Sequence, residues 1–121
     1  MKNIVLIALI LLFIGCGETQ DSSPASVAKT VAESFYQGDE ETLNKHTTPE
    51  GFANFSNLMK MFAKPKSSEM NFKINEKSIE GDVAWVKYST SYDKIPGVFK
   101  LVKVDGVWKV TVREPREKLP F

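Results

Sequence analysis

The chain has 121 residues, with 16 Lys and Arg against 15 Asp and Glu, and a formal net charge of +1. This balance argues against a nucleic-acid-binding protein, which usually carries a basic excess, and the length fits one small domain. Cys16 is the only cysteine, so the sequence offers neither a disulfide framework nor a cysteine-based metal site. Nothing in it points to a cofactor.

The first 15 residues are typical of a signal peptide. Lys2 supplies a positive charge, and the apolar run over residues 4–15 is shorter than the roughly 20 residues that a membrane-spanning helix needs. The segment Leu-Phe-Ile-Gly-Cys at residues 12–16 resembles the bacterial lipobox. That resemblance implies cleavage after residue 15 and lipid attachment to Cys16. An ordinary secretory signal with an incidental cysteine is the alternative.

Residues 16–23 are predicted to be the lipidated cysteine and a flexible tether. Residues 17–23 are polar and lack apolar periodicity, and at about 3.5 Å per residue they reach at most about 25 Å. We therefore expect a domain over residues 24–121, lipid-anchored in the bacterial cell envelope on the periplasmic or extracellular side. Gly17 stands where Asp retains enterobacterial lipoproteins in the inner membrane, so outer-membrane sorting is compatible with the sequence.

Three helices are predicted to come first. Ser23 and Thr48 each precede a proline, a combination typical of a helix start, and Asp39 can cap a short helix between them. Gly38 is expected to end the first helix, and Pro65 the third. The third helix carries four apolar side chains at helical spacing: Phe52, Phe55, Met59 and Phe62.

After Pro65 the apolar period changes to two, which predicts antiparallel strands. Gly81-Asp82 marks one hairpin turn, and Asp105-Gly106 is a strong signal for a second. With a two-residue turn at Asp105-Gly106, Leu101 pairs with Val110. The first predicted strand contains Met70, Phe72 and Ile74, and the other three cover residues 83–92, 98–104 and 107–112.

One face of the predicted sheet is apolar and should pack against the helices. In the last hairpin this face holds Phe99, Leu101, Trp108, Val110 and Val112. In the first hairpin it holds Ala84, Val86, Tyr88 and Tyr92. Bringing Phe72 and Ile74 to the same face requires a bulge within residues 75–80, because a one-residue shift reverses the face of a strand.

The opposite face carries lysines between apolar side chains. Lys73, Lys87, Lys100 and Lys109 point outward in this alternation. Like charges on neighbouring strands are mildly destabilising. Their grouping indicates either a solvated face that discourages aggregation or a surface for an anionic envelope component, an envelope protein or a second copy in a homodimer. The candidate partner surface comprises Trp85, Lys87, Lys100, Val102 and Lys109.

Taken in order, four segments of the chain resemble a known domain family. They are PASVA at residues 24–28, GD at 38–39, TPE at 48–50 and LVKVDGVWKV at 101–110. Three helices followed by a curved four-stranded antiparallel sheet are similar to the cone-shaped α+β fold of nuclear transport factor two-like domains. More narrowly, the chain resembles small bacterial lipoproteins that carry such a domain without an assigned function. The resemblance covers nearly all of residues 24–121.

This resemblance leaves the activity open, because members of the family include isomerases, dehydratases and non-catalytic binding modules. The candidate lining of a cavity in the cone is Phe35, Phe55, Tyr88 and Trp108, which would suit a small apolar ligand. Plain core packing of the same side chains is the alternative.

A small envelope enzyme with its active site in the cone is the alternative function. An isomerase-type reaction needs an acidic general base inside an apolar cone, where Tyr88 and Tyr92 could donate hydrogen bonds. Asp93 is predicted to follow the strand, and His46 has no second histidine or cysteine with which to bind a metal. We therefore assign no catalytic or metal-binding residue and expect a membrane-tethered, non-enzymatic interaction or ligand-binding module.

Overall fold

The computed structural model describes residues 23–64 and 69–121. The predicted signal peptide, Cys16, the tether up to residue 22 and Pro65 lie outside the described residues. The described ranges form three helices followed by a four-stranded antiparallel sheet, which confirms the predicted α+β class. The elements are α1 Pro24–Gln37, α2 Glu40–Lys45, α3 Pro49–Phe62, β1 Lys73–Glu80, β2 Val83–Ser89, β3 Gly97–Val104 and β4 Val107–Thr111.

The helices begin where the sequence predicts, and α1 ends at the predicted Gly38. The side chains of Ser23, Asp39 and Thr48 each accept a hydrogen bond from a backbone N–H in the first turn of the helix that follows. These bonds satisfy amide groups that have no partner within the helix itself. Gly38 ends α1 with φ 73°, a left-handed conformation that glycine adopts without a steric penalty.

The strands form a simple meander in the order β1-β2-β3-β4. Leu101 lies opposite Val110, as predicted, because the turn at Asp105 and Gly106 has positive φ at both positions. The pairing of β1 with β2 shifts between Ile74 and Glu76, which places the predicted bulge at Asn75.

The core lies between α1 and the apolar face of the sheet. Its buried members are Val27, Ala28, Val31, Ala32, Leu43, Met59, Ala84, Val86, Phe99, Leu101, Trp108 and Val110. The segment between α2 and α3 covers one edge of the sheet. The Thr48 N–H donates to the Val110 carbonyl, and the Val110 N–H donates to the His46 carbonyl. Residues 46–48 therefore pair with β4 along the edge that faces away from β3.

Two predictions were wrong, one on the end of β2 and one on the buried face of α3. β2 ends at Ser89 and not at Tyr92, because the chain turns there: the Tyr92 N–H donates to the Thr90 hydroxyl. Phe62 was assigned to the buried stripe of α3, but it is 50% exposed. The end of α3 contacts the end of α1 through a hydrogen bond from the Lys64 N–H to the Tyr36 carbonyl, and Phe62 points away from that contact to solvent.

Candidate functional site

A continuous set of aromatic rings joins the sheet to the helices at one end of the core. The Tyr88 ring stacks on Phe72 and on Phe99, with centroid distances of 5.3 and 4.7 Å. Phe55 of α3 meets Phe99 edge-on at 5.8 Å, and Phe35 of α1 meets Phe55 edge-on at 6.4 Å. Offset and edge-to-face geometries are those that aromatic rings favour, so these contacts stabilise the junction of sheet and helices.

Tyr88 packs into this set of aromatic rings because the residue opposite it has no side chain. Gly97 pairs with Tyr88 across β2 and β3, and a Cβ atom at Gly97 would lie 2.7 Å from the Tyr88 ring. A glycine at the start of β3 therefore lets the tyrosine lie flat against the sheet.

The rings surround a recess of about 130 Å³. It is lined by Val31, Ala32, Phe35, Tyr36, Phe55, Leu58, Tyr88 and Phe99. The structure thus brings together three of the residues that sequence analysis proposed as a cavity lining, namely Phe35, Phe55 and Tyr88.

The fourth proposed lining residue, Trp108, lies elsewhere in the core. It is opposite Lys103, whereas Tyr88 is opposite Gly97. These two positions on β3 are separated by about 20 Å at roughly 3.4 Å per residue. The Lys103 ammonium lies 5.1 Å from the centroid of the Trp108 ring, near the hairpin turn.

A wider, polar cleft of about 440 Å³ adjoins the recess. Its lining comprises Lys29, Glu33, Tyr36, Gln37, Glu69, Met70, Asn71, Phe72 and Tyr92. Tyr36 lines both spaces and so marks the boundary between them. The site therefore combines an apolar interior with a charged and hydrogen-bonding entrance.

Two tyrosine hydroxyls serve this site as neutral donors. Tyr36 donates a hydrogen bond to the carboxylate of Asp93, and burial together with that bond raises the pKa of Tyr36 well above its usual value. Burial, with a smaller effect from the charge of Asp93, raises the pKa of Tyr88 to about 12. Both phenols therefore stay protonated at neutral pH.

Sequence analysis missed Tyr36 and the role of Asp93. Tyr36 follows Phe35 on the flank of the buried face of α1, which was the available signal. Its ring lies 4.8 Å from that of Tyr92, and the Lys64 ammonium lies 5.6 Å from the centroid of the Tyr92 ring. Asp93 was predicted only to follow the strand, and its bond to Tyr36 spans 57 residues of sequence.

The candidate partner surface lies on the opposite face of the sheet, as the alternation predicts. Trp85, Lys87, Lys100, Val102 and Lys109 share that face by register. Trp85 is nevertheless only 9% exposed. The Lys100 ammonium lies 5.7 Å from the Trp85 ring and 2.8 Å from each carboxylate oxygen of Glu117.

We call residues 112–121 the C-terminal strap, because Glu117 ties this segment to the outer face of β3. The hydrogen bond from Lys100 lowers the pKa of Glu117. On the same face Glu76 lies opposite Lys87. Two of the four outward lysines, Lys87 and Lys100, are thus accompanied by acids in the structure.

In the described part of the chain, no group of three or more His, Cys, Asp and Glu side chains could hold a metal ion. His46 lies at the end of α2, with Nδ1 2.9 Å from the Thr42 carbonyl oxygen. Within residues 23–64 and 69–121, no helix is long and apolar enough to cross a bilayer.

The architecture is that of an NTF2-like domain, the nuclear transport factor two-like cone. The chain superposes on a crystal structure from Campylobacter jejuni, provisionally named an NTF2-like transpeptidase, with TM-score 0.62 and 17% identity over 76% of this chain and 100% of that one. An NTF2-like protein of unknown function from Silicibacter pomeroyi gives TM-score 0.61 and 13% identity over 72% of this chain and 86% of that one. No family model or curated protein sequence matches the chain. At such identities the likeness establishes the fold.

Proposed function

We propose that this protein is an envelope lipoprotein that binds a small, ring-bearing ligand in the recess and the adjoining cleft, which together we call the cone mouth. The observation that carries the proposal is the apolar recess that meets a polar cleft at Tyr36. A few polar groups at the entrance of an apolar pocket are the usual anatomy of a small-molecule site.

The size of the recess limits the part of the ligand that enters. A dry cavity of roughly 150 Å³ lined by Leu, Ile and Phe side chains holds a benzene molecule. The recess here, about 130 Å³, suits a single ring of similar size. The rings of Phe35, Phe55 and Tyr88 would contact it, and any larger substituent would remain outside in the cleft.

The cleft defines what the outer part of the ligand carries. Lys29 and Glu33 offer charges of both signs, and Gln37 and Asn71 offer amide donors and acceptors. The protonated hydroxyl of Tyr88 can donate to an oxygen or nitrogen on the ring. This combination favours an amphiphilic ligand with an apolar ring and polar substituents.

The membrane tether in the proposal comes from the N-terminal sequence. The apolar run at residues 4–15, the lipobox-like segment that ends at Cys16 and the polar tether at residues 17–23 support lipid anchoring in the cell envelope. One acyl chain holds a protein only marginally, and two or more hold it stably. We propose the periplasmic or extracellular side for the domain.

The outer sheet face is the other site that sequence analysis favoured, for a protein partner or a second copy. Glu117 of the C-terminal strap forms an ion pair with Lys100 on that face, and Lys100 lies next to the nearly buried Trp85. A partner on that face would have to displace the strap. The cone mouth needs no such displacement, which supports it as the primary site.

An enzyme remains the second candidate, and the Tyr36–Asp93 pair is the observation that favours it. A carboxylate next to a phenol at the entrance of an apolar recess could move a proton on a bound substrate. Acyl transfer, the activity in the name of the Campylobacter protein, needs an activated nucleophile. The nearby Ser89 and Ser91 hydroxyls instead donate to Asn75 and to the Glu69 carbonyl, which supports the non-enzymatic proposal.

Titration with phenol tests the recess, because phenol carries one ring and one hydroxyl. We expect saturable chemical-shift changes in the aromatic resonances of Phe35, Phe55 and Tyr88. Leu58→Trp should abolish them, since Leu58 lines the recess and a larger ring would fill it. Asn57→Trp, an exposed position in the same helix, is the matched control and should leave binding intact. Shift changes that are absent, or equal in Leu58→Trp, would refute the proposed site.

A further inference from the structure

Four large apolar side chains are exposed around the cone mouth. Leu58, Met61 and Phe62 are spaced i, i+3 and i+4 in α3, so they share one face of its last turns. They are 38%, 73% and 50% exposed, and Ile95, in the loop between β2 and β3, is 78% exposed. We call these four residues the apolar rim.

The apolar rim belongs to one end of the molecule. Leu58 also lines the recess. The end of α3 contacts the end of α1 through the bond from the Lys64 N–H to the Tyr36 carbonyl, and Ile95 is two residues from Asp93, which accepts from Tyr36. The apolar rim and the entrance of the recess therefore both lie close to Tyr36.

Lysines border the apolar rim. Lys64 follows its helical part, with its ammonium 5.6 Å from the centroid of the Tyr92 ring, and Lys94 precedes Ile95 in the loop. Asp93, the nearest acid in that loop, already accepts the hydrogen bond from Tyr36. Exposed apolar side chains bordered by cations are the pattern of surfaces that bind anionic lipid headgroups and bury their apolar residues between them.

A second copy of the chain is a less suitable occupant of the rim. A two-fold contact through it would bring the same patch of each copy together, and so set lysines against lysines. Like charges facing each other across an interface oppose association. An anionic bilayer has the complementary charge and accepts a small apolar area.

The predicted tether is long enough for this arrangement. The 14 residues of α1 span about 21 Å, which separates its start from Tyr36 near its end. The tether at residues 17–23 reaches at most about 25 Å. The rim can therefore reach the bilayer in which the lipid on Cys16 would be embedded, a step that rests on the lipidation in the proposed function.

We infer that the apolar rim is a docking surface for an anionic lipid bilayer, and that docking places the entrance of the recess at the membrane surface. Met61 and Phe62 enter the headgroup region, while Lys64 and Lys94 contact the anionic headgroups. A ring-bearing ligand could then pass between the lipid and the recess without crossing bulk water.

The test places a fluorescent reporter on the rim of the full chain, extracted from envelopes with detergent and reconstituted into vesicles. Met61→Cys is labelled with an environment-sensitive nitrobenzoxadiazole dye. Asp82→Cys, exposed in the turn between β1 and β2, is the matched control. The wild-type chain, treated in the same way, gives the contribution of Cys16. The vesicles contain phosphatidylglycerol with phosphatidylethanolamine, or phosphatidylcholine alone.

In anionic vesicles we expect the dye at position 61 to brighten by about threefold or more and to be quenched by spin-labelled lipid, as for an inserted side chain. Phosphatidylcholine should give a smaller change, and position 82 should give none. Equal, solvent-like signals at both positions would overturn the inference. So would the same brightening in detergent without vesicles at rising protein concentration, which would indicate a second copy. Phenol is absent from this test, so its outcome is independent of the proposed ligand site.

Discussion

Tyr36 is the residue on which the two halves of the proposed site meet. The centroid of its ring lies 5.1 Å from that of Phe35 and 4.8 Å from that of Tyr92, and its hydroxyl donates a hydrogen bond to Asp93. The contacts with Tyr92 and Asp93 join α1 to the chain that follows β2. The hydrogen bond to Asp93 requires a protonated phenol, and partial burial beside the carboxylate keeps the proton in place.

Tyr88 provides a prediction on pH dependence. Its pKa is raised from 10.0 to about 12 in the folded protein, so its contribution to stability is complete below pH 10 and is lost as the pH rises towards 12. Over that interval the free energy of unfolding of the wild type should fall more steeply than that of Tyr88→Phe, by up to about 1.4 kcal/mol per pH unit.

Urea unfolding at about pH 9 and about pH 11 measures this difference. The comparison of the two proteins at each pH removes the titration of lysines, which they share. Parallel pH dependences of wild type and Tyr88→Phe would contradict the proposed environment of the phenol.

At the scale of elements, α3 is held against β4 by a close backbone approach. A Cβ atom at Gly51 would lie 2.7 Å from the Val110 carbonyl oxygen and 3.2 Å from the Thr111 Cα. The hydroxyl of Thr48 supports the same contact, since it accepts from the Gly51 N–H and donates to the Thr111 hydroxyl. The first turn of α3 thereby sets the distance from helix to sheet, and its later turns position Phe55 over the recess.

Gly51→Ala should therefore lower the free energy of unfolding by about 1–3 kcal/mol, because overpacking displaces α3 from β4. Asn57→Ala, exposed in the same helix, should change it by no more than about 0.5 kcal/mol. Urea unfolding of both variants measures the contrast. Equal stabilities would show that α3 can shift without cost.

The C-terminal strap makes the second element-scale prediction. The Lys100 hydrogen bond lowers the pKa of Glu117 below 4.5, so the attachment is present above that pH and is lost as the pH falls through the lower folded value. Acid should thus release the strap and expose Trp85. Glu117→Gln should have Trp85 exposed at neutral pH and should show no further change in acid.

The indole N–H resonance of Trp85 reports this release in an NMR pH titration. Glu114→Gln, an exposed acid three residues away, is the control and should titrate like the wild type. An unchanged Trp85 resonance in Glu117→Gln would mean that other contacts hold the strap.

Across the whole molecule, most of the confirmed predictions depended on signals from residues that are close together in sequence. Helix caps at Ser23 and Thr48, the turn at Asp105 and the bulge at Asn75 follow from local chemistry and from the two-residue period of strands. Each of these features depends on residues close in sequence, or on one hairpin.

The features that were missed depend on contacts between distant parts of the chain. The Tyr36–Asp93 bond joins residues 57 positions apart, and the Lys100–Glu117 bridge joins an outward lysine to the strap. Phe62 continues the apolar period of α3, yet no part of the core lies under it. Periodicity predicts which face of an element is apolar, but not where the neighbouring element ends.

A native mass spectrum of the detergent-extracted chain tests the central claim, that the cone mouth binds a small ligand, most directly. We predict an additional mass of a small molecule on the wild type and on Asn57→Trp, and none on Leu58→Trp, whose larger ring fills the recess. Wild-type protein that carries no additional mass, or Leu58→Trp that retains it equally, would contradict the account.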